Sequence, residues 1–244
     1  LSVNWRDRIH DFRYHIGFNL AYAKNKIVFQ DEVPYPYDYM RKTGKPVGQQ
    51  MGYKYDGFFS EEDVAKYETE RGKSIPDHGT GYIPKPGDVK YKDLNNDHKI
   101  DQYDVAAIGY PVYPLLTGGI NLGFSYKGFD FSMLLQGVGK HKVYYNNQAF
   151  RFVTVMGQSL NKDITDHAWT PENPYNSKYP RLRNNANSKN NIASDALVFN
   201  ASYLRCKNIQ LGYTLPSHIS EKFFVENLKI YTSIDNLFTL TDFP

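Results

Sequence analysis

The oxygen-rich stretch DLNNDHKIDQYD, residues 93–104, is where the sequence first offers chemistry. Asp93, Asn95, Asp97, Asp101 and Asp104 fall at positions 1, 3, 5, 9 and 12 of an EF-hand-type loop, and Lys99 at position 7 offers a backbone carbonyl. Hard oxygen ligands at that spacing suit Ca²⁺. Two residues depart from the pattern. His98 stands at position 6, where glycine normally makes the turn, and Asp104 at position 12 is shorter than the usual bidentate glutamate. The same residues also read as a metal-free run of Asx turns on a solvated loop. A bound ion here would stiffen a loop rather than run a reaction.

Other reactive constellations are missing. The 7 histidines show no metal-ligand spacing, and there is no Ser, His and Asp set or glycine-rich phosphate loop. Glu61, Glu62 and Asp63 resemble catalytic acids but sit in FSEEDVAKYETERG, which reads as a helix. Ser60 is its N-cap, Asp63 closes a capping box, and Gly72 lies past its end. The single cysteine, Cys206, lies in a strand-like segment and reads as a buried, inert thiol. No enzyme is expected. A net charge of +3 is too mild to imply nucleic acid.

The elements that must carry these residues are strands. In FRYHIGFNLAY, Phe12, Tyr14, Ile16, Phe18, Leu20 and Tyr22 alternate with polar or small residues, so a strand places all six on one face. GINLGFSY (119–126), FDFSMLLQG (129–137), NIQLGYTL (208–215) and LKIYTSI (228–234) repeat the alternation. Lys127-Gly128 signals a tight hairpin, and residues 1–6 form the end of a further strand that turns around Asp7-Arg8. About six strands result.

Short turns near 7–10, 127–128 and 216–226 alternate with long excursions over about 25–113 and 139–198. That sorting is the layout of an outer-membrane barrel, with short periplasmic turns and long extracellular loops. The second excursion contains TPENPYNSKYPRLRNNANSKNN (170–191), which ends as a flexible linker. The alternation from Phe12 to Lys24 exceeds an ordinary strand of about 5–6 residues and suits a tilted membrane strand of about 9–11. Tyr14 and Tyr22 bracket the apolar run like rings at two interfaces.

The apolar faces therefore read as lipid-facing, with Arg13, Asn121 and Gln210 on the opposite, lumenal side. Trp169, Tyr175 and Tyr179 are candidates for stacking on a substrate or packing against a partner. Six strands cannot close a barrel, whose smallest membrane form has about eight. The remaining strands are expected outside this chain. The competing reading is a soluble, calcium-stabilised β-sandwich that binds glycans with the same aromatics and acidic loop.

A family resemblance rests on several segments taken together in collinear order. They are PGDVKYKDLNNDHKIDQYDVAAIGYPVYPLLTGGINLGFSYKGFDFSMLLQGVG, WRDRIHDFRYHIGFNLAYAKNKI, YPRL, SYLRCKNIQLGYTLP and LKIYTSIDNLFTLTDF. These resemble the C-terminal half of the SusC/RagA family of TonB-dependent outer-membrane transporters. His98 departs from the glycine that the family carries in the acidic loop, and Cys206 from its usual aliphatic residue. The resemblance implies an all-β chain: part of a large antiparallel transmembrane β-barrel of the 22-strand type with long extracellular loops, incomplete here. It implies a plug and a TonB-contacting segment before Leu1, and the last strand or strands after Pro244. It further implies multi-pass residence in the bacterial outer membrane and import of an oligosaccharide or peptide, driven through TonB. The partner it implies is a SusD-like surface lipoprotein.

Overall fold

The alternating segments become one antiparallel sheet. The structure, a computed structural model, describes residues 1–144, 160–183 and 189–243. Residues 184–188 of the linker-like stretch lie outside the described residues. The chain runs β1 (Ser2–Ile9), β2 (Phe12–Tyr22), β3 (Gln50–Gly52), β4 (Tyr55–Phe58), α1 (Glu61–Glu70), β5 (Val89–Tyr91) and β6 (Ala106–Ile108). It continues with β7 (Leu116–Tyr126), β8 (Phe129–Gly139), β9 (Lys142–Tyr144), α2 (Lys162–His167), β10 (Val198–Asn200), β11 (Tyr203–Thr214), α3 (Ser217–Ser220) and β12 (Lys229–Thr241).

Six strands form the sheet, in the order β1-β2-β7-β8-β11-β12. They belong to a sheet unit of residues 1–24, 113–141 and 200–243, and residues 25–112 and 142–199 form a separate loop unit. Register sorts the side chains. One row across the sheet runs Arg6, His15, Gly123, Ser132, Gln210 and Ser233. The row beside it runs Trp5, Ile16, Leu122, Met133, Ile209 and Ile234, on the other face. Within the sheet unit no second sheet covers that apolar face: Trp5 is 57% exposed and Ile16 46%. The sandwich is not what the sheet unit builds.

Two details keep the faces in phase. A bulge between Cys206 and Asn208 shifts the register of β11 against both neighbours. Cys206 therefore stays opposite Leu135 and Phe238, while Asn208 lies opposite Asp235. The Lys127-Gly128 turn takes φ of 45° and 89°, both left-handed, as a type I′ hairpin requires. The first turn corrects the sequence expectation. Asp7 and Arg8 are strand residues paired with Tyr14 and Arg13, and the chain reverses at His10 and Asp11, with His10 at φ 55°. Pairing Ile9 with Phe12 carries the apolar register to the strand end, which a turn at Asp7-Arg8 would forfeit.

In the loop unit, α1 begins as expected. Ser60 Oγ accepts the Asp63 N–H and Asp63 Oδ2 accepts the Ser60 N–H, both at 3.0 Å. Beyond α1, Gly72 sits at φ 74°. The unit has apolar centres of its own, around Phe59, Tyr67 and Tyr82 and around Ile164, Tyr179 and Leu197. Of the buried hydrophobic residues described, only Leu115 and Cys206 belong to the sheet unit.

Candidate functional site

Arg13, Asn121 and Gln210 all lie on the polar face: Arg13 opposite Ser125, Asn121 opposite Gly17, Gln210 between Ser132 and Ser233. Glycines on that face make room for long neighbours. A Cβ on Gly123 would stand 2.2 Å from His15 Cε1, so the imidazole reaches across β7 only because that side chain is missing. A Cβ on Gly212 would stand 2.6 Å from Asp130 Oδ2 and from Lys229 Cε, and the Lys229–Asp130 pair spans β11 there at 2.5 Å. Beside them a concavity of about 780 Å³ opens, lined by Asn4, Arg6, Arg8, Arg13, His15 and Asn121 among others. Gln210, further along the sheet, does not line it.

The three loop aromatics part company. Trp169 and Tyr179 are buried, whereas Tyr175 is 95% exposed. Gly87, at φ 86°, lets the Trp169 ring lie on the backbone, since a Cβ there would stand 2.4 Å from Trp169 Cδ2. Trp169 N–H donates to the Tyr179 carbonyl at 2.8 Å, and the Tyr179 hydroxyl donates to Asp163 in α2. That hydrogen bond, with Lys178 behind it, holds the Asp163 carboxyl below its ordinary range. Trp169 and Tyr179 thus build the loop, and Tyr175 alone is presented at its surface.

Sequence reasoning missed the centre that fastens the loops. Asp88 is fully buried and accepts hydrogen bonds from the Lys85 N–H at 2.8 Å, the Tyr82 hydroxyl at 3.1 Å and Asn190 Nδ2 at 3.2 Å. Arg183 pairs with it at 2.6 Å. Asn190 Oδ1 in turn accepts the Val89 N–H at 2.9 Å. A buried carboxylate needs this many partners to be tolerable at all. Its local partners, Tyr82 and Lys85, precede the Pro86-Gly87-Asp88 turn, while Arg183 and Asn190 lie about a hundred residues on. His78, buried in the same unit, donates from Nδ1 to the Pro76 carbonyl at 2.9 Å and accepts the Tyr91 N–H at Nε2 at 3.3 Å. Burial lowers its pKa to about 4, and it is neutral.

In the acidic loop the oxygens face backbone amides. Asp93 Oδ2 accepts the His98 N–H at 2.7 Å, Asn95 Oδ1 the Asp97 N–H at 3.2 Å, and Asp97 Oδ1 the Lys99 N–H at 2.9 Å. Asp101 Oδ1 accepts the Tyr103 N–H at 2.8 Å. Asp104, fully buried, accepts the N–H groups of Leu94 at 2.7 Å and Asp101 at 2.9 Å. His98 sits at φ 63°, the left-handed conformation that glycine supplies most readily, so the departure at position 6 is accommodated. Asp93 Oδ1 is buried with no hydrogen-bond partner. Burial, with the charges of Asp93 and Asp101 nearby, pushes the Asp104 carboxyl up. The loop has the residue types and the left-handed turn of a cation loop, and one oxygen without a hydrogen-bond partner. Among the described residues, however, no three Asp, Glu, His or Cys side chains are gathered closely enough to hold one.

No protein-family model matches the chain. Similar proteins do. TonB-dependent receptor P3 of Formosa agariphila is 29% identical across 100% of this chain, which covers 24% of that protein. TonB-dependent receptor SusC of Bacteroides thetaiotaomicron is 24% identical across 96% of the chain, covering 22% of its length. Among solved structures, the RagAB peptide transporter aligns over 99% of the chain with a TM-score of 0.70 at 20% identity, covering 25% of that protein chain. The names are those of receptors and transporters, none of an enzyme. No helix described is long and apolar enough to cross a membrane, which says nothing of strands. The chain spans about a quarter of the length of the relatives it matches, and over that length it is similar in sequence to proteins named TonB-dependent receptors and in fold to the RagAB transporter.

Proposed function

We propose that the chain is a section of the wall, with two large extracellular loops, of a TonB-dependent importer in the bacterial outer membrane. The excursions 25–113 and 139–198 would lie outside the cell and the turns near 7–10, 127–128 and 216–226 in the periplasm. The cargo is an oligosaccharide or a peptide. A SusD-like lipoprotein meets the extracellular loops, and TonB acts through a part of the receptor other than this one. One observation carries the reading: a single-layer sheet whose apolar face is uncovered along strands of 11 to 13 residues from β2 to β12. Strands of that length can cross hydrocarbon. The names of SusC and of the RagAB peptide transporter support the direction of the reading.

Lipid contact tests it. A fluorophore attached through Leu122→Cys in the full receptor is expected to be quenched by brominated phospholipids, and one attached through Ser132→Cys to be spared. Equal quenching at the two positions, or none at either, would overturn the assignment of faces.

For the acidic loop we propose Ca²⁺ as a stiffening ion on Asp93, Asn95, Asp97, the Lys99 carbonyl, Asp101 and Asp104. The support is the orphaned Asp93 oxygen and the left-handed turn at His98. Calcium at about a hundred times its dissociation constant should stabilise the folded loop by about 2.7 kcal/mol. Thermal unfolding with and without Ca²⁺ measures this. Asp93→Asn should remove most of the gain, and an unchanged melting temperature at millimolar Ca²⁺ would reject the ion.

A further inference from the structure

We infer that the junction between residues 25–112 and 142–199 of the loop unit is a clasp that opens in a single step. It parts the unit along a polar seam while the apolar cluster on each side stays folded. The inference does not rest on where the loops lie relative to a membrane. Each cluster draws its members from one segment. Phe59, Tyr67 and Tyr82, with Val64 and Ile75 against them, belong to the first. Ile164, Tyr179 and Leu197, with Tyr144, Leu182 and Phe199 against them, belong to the second. Neither cluster crosses the junction.

What crosses it is largely directional. At one end the Tyr53 N–H donates to the Ala193 carbonyl at 2.8 Å, and the Asp195 N–H donates to the Tyr53 carbonyl at 3.1 Å. Asp195 Oδ1 accepts the Tyr55 N–H at 2.5 Å, and Lys54 pairs with the same carboxylate at 3.6 Å. At the other end the Arg181 N–H donates to the Gly87 carbonyl at 2.8 Å, and the Tyr91 hydroxyl donates to the Lys189 carbonyl at 2.6 Å. There Arg183 and Asn190, both from the second segment, also close on Asp88 of the first. Apolar packing adds Trp169, laid on Gly87, and Val198, against Gly109.

A junction of this composition has two comfortable states and little between them. The side chain of Asp88 is fully buried and that of Arg183 is 11% exposed, so losing one while keeping the other leaves a buried, uncompensated charge. The contacts around the pair are therefore kept or lost together. Parting the whole seam is different, because it returns both ions and their hydrogen-bonding neighbours to water, which receives them well. Polar junctions of this kind permit relative motion, which a large apolar one resists. If the loops lie outside the cell, as proposed, the step separates two extracellular loops from one another.

Amide-resolved hydrogen exchange on the full receptor in detergent tests this. The seam amides of Tyr53, Tyr55, Val89, Arg181 and Asp195 are expected to share one protection factor, at least about tenfold below those of Phe59 and Tyr179. Arg183→Gln should lower the shared value about a hundredfold or more and leave Phe59 and Tyr179 unchanged. Tyr53 and Ser194 are bridge partners, close enough for a disulfide. Oxidising a Tyr53→Cys, Ser194→Cys variant should raise protection at Val89 and Arg181, at the far end of the seam, about tenfold, and reduction should restore it. Seam amides with scattered protection factors, or as well protected as Phe59 and Tyr179, would overturn the single-step clasp. Slowing confined to residues 53–55 and 193–195 in the oxidised variant would do the same. A wild-type pattern in Arg183→Gln would strip the ion pair of its role; should that variant fail to fold, the wild-type and disulfide comparisons decide.

Discussion

His78 shows what burial does to a single titratable group in the loop unit. Its ring is enclosed by Phe59, Tyr82 and Tyr91, and its two nitrogens are committed to the Pro76 carbonyl and the Tyr91 N–H. A proton added at Nε2 would break the second bond and leave a cation without water. The folded pKa is depressed from 6.5 to about 4, so in that interval the unfolded chain binds more protons than the folded one. Stability contributed by the neutral ring is complete above pH 6.5 and lost as pH falls towards 4, by about 3 kcal/mol in all. Denaturant melts followed by the fluorescence of buried Trp169 should show this loss, and His78→Gln should flatten it. A wild-type profile flat from pH 7 to about pH 4 would contradict the neutral assignment.

Elements differ in how far they could be read from sequence, and the difference is one of range. The sheet strands were legible because a period of two is local: Phe12 to Tyr22 sorts itself onto two faces with no knowledge of its neighbours. The start of α1 was legible for the same reason, since Ser60 and Asp63 answer one another across three residues. The first hairpin was misplaced because Asp7-Arg8 carries turn-like polarity, while the reversing pair, His10-Asp11, contains no glycine or proline to mark it. The bulge at Cys206 to Asn208 has no composition signal at all. The Asp88 centre was hidden because its partners, Arg183 and Asn190, sit in a stretch that reads as linker. In composition Trp169, Tyr175 and Tyr179 looked alike; packing against Gly87 and Asp163 separates them, and packing is not in the pattern.

At the scale of the molecule, a sheet that ends in β1 on one side and β12 on the other has two rows of backbone donors and acceptors without a strand beside them. In water such edges invite association, and in hydrocarbon each unpaired group costs several kcal/mol. Every residue of both edge strands is exposed, whereas β7 and β8 have a partner on each side. Hydrogen exchange should therefore be graded across the sheet. In the 244-residue chain held in detergent micelles, the outward-facing amides of β1 and β12 are expected to exchange within the dead time while those of β7 and β8 stay protected. If the chain is a section of a barrel, as proposed, neighbouring strands pair both edges in the full protein, and protection there should rise to the level of the centre with β7 and β8 unchanged. Protected edges in the isolated chain, at a concentration where it is monomeric, would mean that β1 and β12 find each other. The sheet would then close on itself instead of continuing into a wider wall.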